Sequence, residues 1–413
     1  MTDLAQALGG ALVLLVPLAG GGLALMNSGL GRSRSAAHAM LAPVCVTAVA
    51  VLAYFVCGWS WQSYPGRPAH FVMLSGRWLN LIGAEPFFLR GHALDGSPAA
   101  LAAWLGMFSV ALAALIPLGA GSERWRLGAS CCSTALLAGW TYPLFAHWVW
   151  GGGWLAQLGF LDAGGAGTIQ AVGGLTALSI AWILGPRQSK YDSDGAPAAI
   201  PGHNAVLVLF GCFLTWVGWI GLNGAGTLLL AGGAAASLTR VAMNTTLSAA
   251  AGVLAAAALT RVRFGRPDAS LCANGWTGGL VASSAACAWI APGAAAVIGA
   301  IAGVLVTLSV EWFDVRRRVD DPAGAISVHA AGGLWGLLAL AIFGPGRWLP
   351  QAAGVATLLL FVLPMTYSLN RLLNRFYPQR VPAEGEPHGL DLYELGAGAY
   401  PEFVTRRDDF RPR

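Results

Sequence analysis

Charge is what this chain has least of. Asp, Glu, Lys and Arg make up 10% of its 413 residues, against about 25% in an ordinary soluble domain. That scarcity excludes a soluble globular protein. The net charge of +5 says nothing for nucleic acid, because the basic residues sit in loops between apolar runs, and no nucleic-acid partner is expected. Catalytic signatures are missing too: HEXXH, G-K-[ST] and G-x-S-x-G do not occur, so the chain reads as a non-enzyme. Seven cysteines are present, Cys45, Cys57, Cys131, Cys132, Cys212, Cys272 and Cys287, all in or at the edge of apolar runs and none in a C-x-x-C or Cys/His set. They read as small apolar packing residues, with no disulfide, metal or cofactor expected.

What the chain has is apolar sequence. Hydrophobic residues make up 56% of it, with 56 glycines, a composition suited to membrane helices packed closely on small residues. A span needs about 20 apolar residues. Eleven such runs occur, near 8–30, 36–60, 98–120, 127–150, 166–185, 202–222, 236–261, 271–290, 293–313, 324–344 and 351–372. The expected fold is an all-α polytopic membrane protein of eleven transmembrane helices. The first run has neither a basic start nor a small-residue cleavage site and reads as a retained span.

Basic residues sit after runs 1, 3, 5, 7 and 9, at Arg32/Arg34, Arg124/Arg126, Arg187/Lys190, Arg261/Arg263/Arg266 and Arg316/Arg317/Arg318, and after run 11 at Arg371, Arg375 and Arg380. The positive-inside rule then puts the N-terminus outside and the C-terminus in the cytoplasm. A long outer loop at 61–97 is expected to cap the outer face. The organisation is a membrane domain, 1–377, followed by a polar cytoplasmic tail, 378–413.

Two of the runs say nearly the same thing. TIQAVGGLTAL at 168–178 returns as SVHAAGGLWGL at 327–337. They lie in runs 5 and 10, an odd number of crossings apart, so they traverse the bilayer in opposite directions. That predicts an inverted repeat, runs 1–5 against runs 6–10 with run 11 left over, and a site where the halves meet near mid-membrane. Each copy carries one polar side chain at the same point, Gln170 and His329. A polar group in hydrocarbon is costly, so the pair is a candidate site.

The chain also resembles the ammonium transporter (Amt/Mep/Rh) family over essentially its full length. The matching stretches include ALMNSGLGRSRS at 24–35, YPLFAHWVWGGGWLAQLGFLDAGGAGT at 142–168 and WVGWIGLNGAG at 216–226. NTTLSAAAG at 244–252, the long run at 274–303, RRRVDDP at 316–322 and GLDLYELGAGAY at 389–400 follow in order. The resemblance implies a homotrimer in a bacterial inner membrane with a pore through each protomer. It implies recruitment of ammonium at an aromatic cage around Trp150, near the structural Asp162. Desolvated cation–π contacts of that kind are worth about 2 kcal/mol. The hydroxyl usual there falls on Gly226, with Thr227 beside it. A Phe gate is expected at Trp104 and Phe108, or in the adjacent register at Leu105 and Ser109. Trp219 resembles a pore-wall residue.

Lower in the pore the family has two hydrogen-bonded histidines. Their positions fall on Gln170 and His329. Many members carry a further Asp two residues after the DDP motif; that position is Gly324 here, so a second support for a helix start is expected to be missing. The tail keeps the GLD and AY elements of a family docking face for PII-type signalling proteins, with Leu395-Gly396-Ala397 where His-Gly-Glu is common. Imidazole titrates near pH 6.5 and can relay protons, whereas an amide cannot. The exchange at Gln170 keeps a polar midpoint and breaks a simple relay. Two functions follow: transport of ammonia or ammonium through an altered pore, or an ammonium sensor that binds without conducting.

Overall fold

The computed structural model describes residues 3–74 and 76–400; residues 401–413, the end of the tail, lie outside them. Among the described residues nine helices are long and apolar enough to cross a membrane. In chain order these and two further helical stretches are α1 (Asp3–Leu30), α2 (Ser33–Gln62), α3 (Pro98–Gly121), α4 (127–150), α5 (Ala166–Leu184), α6 (Ala205–Leu229), α7 (Ala235–Phe264), α8 (Ala269–Ser283), α9 (Pro292–Arg316), α10 (Ile326–Phe343) and α11 (Trp348–Phe376). All eleven runs expected from the sequence are therefore helical. Two fall short of the span criterion: α4 carries Ser, Thr and Cys along its first turns, and α8 ends after 15 residues in a set of turns.

Polar residues start several of these helices. The Asn204 side chain accepts from the Val206 and Leu207 N–H groups at α6, and Asp268 accepts from Leu271 N–H at α8. Each satisfies donors that a helix start leaves orphaned, and in hydrocarbon no water would do so. Glycine lets the spans meet. A Cβ on Gly22 of α1 would come within 2.6 Å of the Gly211 carbonyl oxygen on α6. Without a hydrophobic drive between spans, such close backbone contact supplies the packing.

The outer loop adds strands that the sequence reading did not anticipate. β1 (Ala69–Leu74) and β2 (Arg77–Gly83) pair antiparallel with a bulge between His70 and Phe71. The hairpin is anchored through Asn80, which accepts from buried His147 (2.9 Å) and donates to the Gly152 carbonyl (3.1 Å). At the opposite end, residues 378–400 pack onto the helix ends instead of standing in solvent.

Candidate functional site

α5 and α10 open alike. Each begins with a wide π-type turn, Ala166–Ala171 and Ile326–Ala331, and then continues as regular α-helix. π-turns often mark functional positions, because the extra residue re-aims a side chain. Here each turn carries one half of the polar pair. Gln170 is fully buried and His329 is 3% exposed. Their side chains meet at 2.8 Å, Gln170 Oε1 to His329 Nδ1.

Glycine allows that meeting. A Cβ on Gly174 would collide with the Ala330 backbone nitrogen, and one on Gly333 with the Ala166 carbonyl oxygen. Equivalent glycines of the two repeats thus let each helix press on the start of the other. An amide oxygen can only accept, so His329 Nδ1 carries the proton and its Nε2 keeps a lone pair. Gln170 Nε2 has no hydrogen-bond partner among the described residues. The pair therefore offers one free amide donor and one free imidazole acceptor, a neutral set suited to a small neutral molecule. A cavity of about 20 Å³ reaches His329 from the tail side, past Met26, Asn27, Asn274, Thr277 and Val328. That is room for about one water.

Both helix starts are held by a carboxylate. Asp162 Oδ2 accepts from Gly167 N–H (3.0 Å), Thr168 N–H (2.8 Å) and the Thr168 hydroxyl (2.9 Å). At α10, Asp321 accepts from Ala325 N–H (3.0 Å) and Ile326 N–H (2.7 Å). The expectation from Gly324 that this second support is missing is corrected: Asp321 supplies it from three residues upstream. The left-handed turn at Gly324 (φ 70°) brings Ala325 and Ile326 back over it. Asp162 and Asp321 stand eight residues before Gln170 and His329 respectively, a repeat-related match six residues upstream of the two aligned copies.

Toward the β-hairpin end, the buried Trp150 indole donates to the Asp162 carbonyl oxygen at 2.8 Å, and its ring lies against Gly165. The structure thus ties Trp150 and Asp162 to the start of α5. Thr227 is fully buried nearby on α6. A Cβ on neighbouring Gly226 would come within 2.5 Å of the Ala163 carbonyl oxygen, which leaves no room there for a serine. Trp219 is fully buried and donates to Ser284 Oγ at 3.1 Å.

Trp104 and Phe108, the residues expected to form a gate, lie on a half-buried face of α3. Their rings contact each other at 6.1 Å on one face of α3, but that face turns outward, and Phe108 lines an apolar cleft with Met40 and Val44. Leu105 and Ser109, one residue on, are the buried positions (0% and 1% exposed). One residue rotates a helix by about 100°, enough to exchange the two faces.

The largest polar network lies at the tail end, and most of it escaped the sequence reading. Buried Arg124 donates to the carbonyls of Gly185 and Asp320 (both 2.8 Å), and Arg187 bridges Asp320 (2.9 Å) and Glu123 (2.7 Å). Burial pushes the Asp320 carboxyl up, but Arg124 and Arg187 outweigh it and hold it below the usual carboxylate range. For adjacent Asp321 burial prevails and pushes the carboxyl up to about 6. The tail then caps two helices. Asp391 accepts from Ala37 and His38 N–H (3.0 and 2.7 Å), and Glu394 from Leu127 N–H and the His38 ring (both 2.8 Å). Burial raises the Glu394 carboxyl, yet His38, Leu127 N–H and Arg126 together hold it low. Acidic residues spaced for such caps were visible in GLDLYEL, but which helices they reach was not.

This architecture matches known proteins along its whole length. The sequence model of the Ammonium Transporter Family matches residues 9–400. Ammonium transporter Amt2 of Archaeoglobus fulgidus is 36% identical over 93% of this chain and 85% of its own. The ammonium transporter of Bacillus subtilis is 30% identical over 94% and 96%. Among solved structures, a Sensor Amt Protein superposes with a TM-score of 0.87 at 28% identity, covering 94% of this chain and 98% of that one. Mep2 of Candida albicans shares the fold at a TM-score of 0.82 and 23% identity, over 99% and 92%. With its buried polar pair, its spans and its full-length match, the chain belongs to the Ammonium Transporter Family.

Proposed function

We propose that this protein moves ammonium nitrogen across the bilayer as neutral ammonia, past the Gln170–His329 pair. The observation that carries this reading is the 2.8 Å bond between the two side chains, with a free donor on one and a lone pair on the other. Ammonia needs both: its nitrogen lone pair takes the Gln170 amide N–H, and its own N–H meets His329 Nε2. Ammonium is recruited at Trp150, with Asp162 and Thr227 beside it, and gives up a proton to water on the side of entry before passing as ammonia, because an unpaired buried ion costs many kcal/mol. Gln170 cannot accept and then release that proton, so no side-chain relay crosses the centre. The gate lies on the inward face of α3, at Leu105 and Ser109, and Trp219 supports the pore wall.

In this reading α4 and α8 also cross the membrane, giving eleven spans in two inverted halves. Its support is the placement of the two helix starts: Asp162 lies on the Trp150 side and Asp321 beside the tail network. The basic loops and the tail mark the cytoplasmic side of an inner membrane. The assembly is a homotrimer, and the tail face receives a PII-type protein.

The test is a paired measurement on proteoliposomes given an ammonium gradient, internal alkalinisation for ammonia and capacitive current for net charge. Native protein should alkalinise the lumen with little current. Absence of both signals, in native protein and Gln170→His alike, would overturn transport. A second reading, a non-conducting ammonium sensor, is favoured by the similarity to the Sensor Amt Protein. Robust native alkalinisation would exclude it.

A further inference from the structure

The cytoplasmic end of α11 carries a feature unrelated to the pore. Tyr367, Ser368, Arg371, Asn374 and Arg375 line an open cavity of about 540 Å³. Arg371 and Arg375 are exposed and four residues apart, so their guanidinium groups share one helix face. Neither has an acidic partner among the described residues. Asn374 spends its Oδ1 on the Gln379 N–H at 2.9 Å, which leaves its amide N–H groups for the cavity. The lining thus offers two unpaired cations, an amide donor and the Ser368 hydroxyl, with no carboxylate.

Its surroundings say where it sits. α11 is the least buried of the nine candidate spans, at 22%, so its long side faces the bilayer. Its 29 residues extend about 43 Å at 1.5 Å per residue, close to the roughly 40–45 Å of a bilayer with its headgroups. The final two turns therefore reach headgroup level. Tyr367 packs edge-on against Trp182 at 6.1 Å at the same height, an aromatic belt pair. Leu360, Leu372 and Phe376 are exposed around the cavity and along the helix toward mid-membrane, an apolar wall for acyl chains.

We propose that this cavity binds the phosphate of an anionic phospholipid, with the Arg371 and Arg375 forks on the phosphate oxygens and the acyl chains along α11. Paired guanidinium groups suit a phosphate better than a zwitterionic headgroup, whose ammonium they repel. The apolar wall selects a lipid over a free anion.

The test uses the full chain in detergent micelles, with lipid retention counted by native mass spectrometry. Phosphatidylglycerol should bind the native protein at least about tenfold more tightly than the double variant Arg371→Gln/Arg375→Gln, and phosphatidylcholine should bind both equally and weakly. Ser368→Trp puts an indole one helical turn from Arg371 in the floor of the cavity, where it obstructs the phosphate, and leaves both charges in place, so it should also lose phosphatidylglycerol. If it binds as native does, the basic residues are a diffuse surface band and the site is overturned. Displacement of the lipid by millimolar inorganic phosphate would overturn the lipid as occupant. Intact oligomer mass and unchanged ammonium-driven alkalinisation in each variant show that the fold and the pore were not disturbed.

Discussion

The starts of α5 and α10 are the same device built twice, and they differ in two places. Both have a π-turn, a carboxylate eight residues before the central polar side chain, and a glycine that admits the other helix. The carboxylates differ in what they hold: Asp162 takes three donors and Asp321 two. The central side chains differ in kind, an amide facing an imidazole. The shared parts are those where backbone meets backbone and no other residue fits. The divergent part is a side chain facing its partner across a gap, where hydrogen-bond reach is the only requirement. The repeat therefore constrains the scaffold more tightly than it constrains the chemistry.

Breaking the shared part should have the largest effect. Gly174→Leu or Gly333→Leu places a side chain on the backbone of the other repeat, and neither variant should yield monodisperse protein on size exclusion. A well-folded Gly333→Leu would mean that the crossing is looser than the structure shows. Exchanging the divergent part comes next. Gln170→His restores two titratable groups and should raise ammonium-driven current about tenfold or more, whereas His329→Leu should remove alkalinisation while the protein stays folded.

Smaller effects separate the two carboxylates. Each buried N–H or O–H that loses its acceptor costs about 1 kcal/mol. Asp162→Ala should then lower stability by about 3 kcal/mol and Asp321→Ala by about 2, read as thermal midpoints in detergent. Equal shifts would remove the asymmetry between the starts. The smallest effect is on pH. Asp321 has its folded pKa raised to about 6, above the ordinary carboxylate value, so its protonated form is favoured by folding. Its contribution is complete below pH 4 and is lost as pH rises through about 6. Asp321→Asn should flatten that decline in the thermal midpoint between about pH 4 and pH 6. The depressed Asp320 and Glu394 carboxyls act the other way, losing their contribution only as pH falls below the usual carboxylate range, so neutral pH leaves them intact.

Much of this molecule was legible from its residues, but unevenly. The eleven apolar runs became helices because a chain with so few charges has nowhere but hydrocarbon to bury its backbone. The polar pair was legible because polarity stands out in an apolar run, and the repeat located its partner. The rotation of α3 was not: Trp104 and Phe108 differ from the buried Leu105 and Ser109 by one residue, and apolar sequence in a membrane has no polar face to set its rotation. The β-hairpin was masked by the Pro and Gly around it. Asp321 was overlooked because a local motif, counted from Gly324, hid the longer repeat.

By itself the sequence determined the class of protein, the number of apolar runs and the two polar residues, Gln170 and His329, that pair. Each rests on hydrophobicity or on self-similarity, which are properties of position along the chain. Only the tertiary structure decided which atoms meet: the Gln170 oxygen on His329 Nδ1, the carboxylates over the helix starts, the tail acids on Ala37, His38 and Leu127. The first and the last of those contacts join residues more than a hundred positions apart, and their partners are set by helix rotation and glycine-mediated approach. Neither quantity is encoded in any local window of the chain.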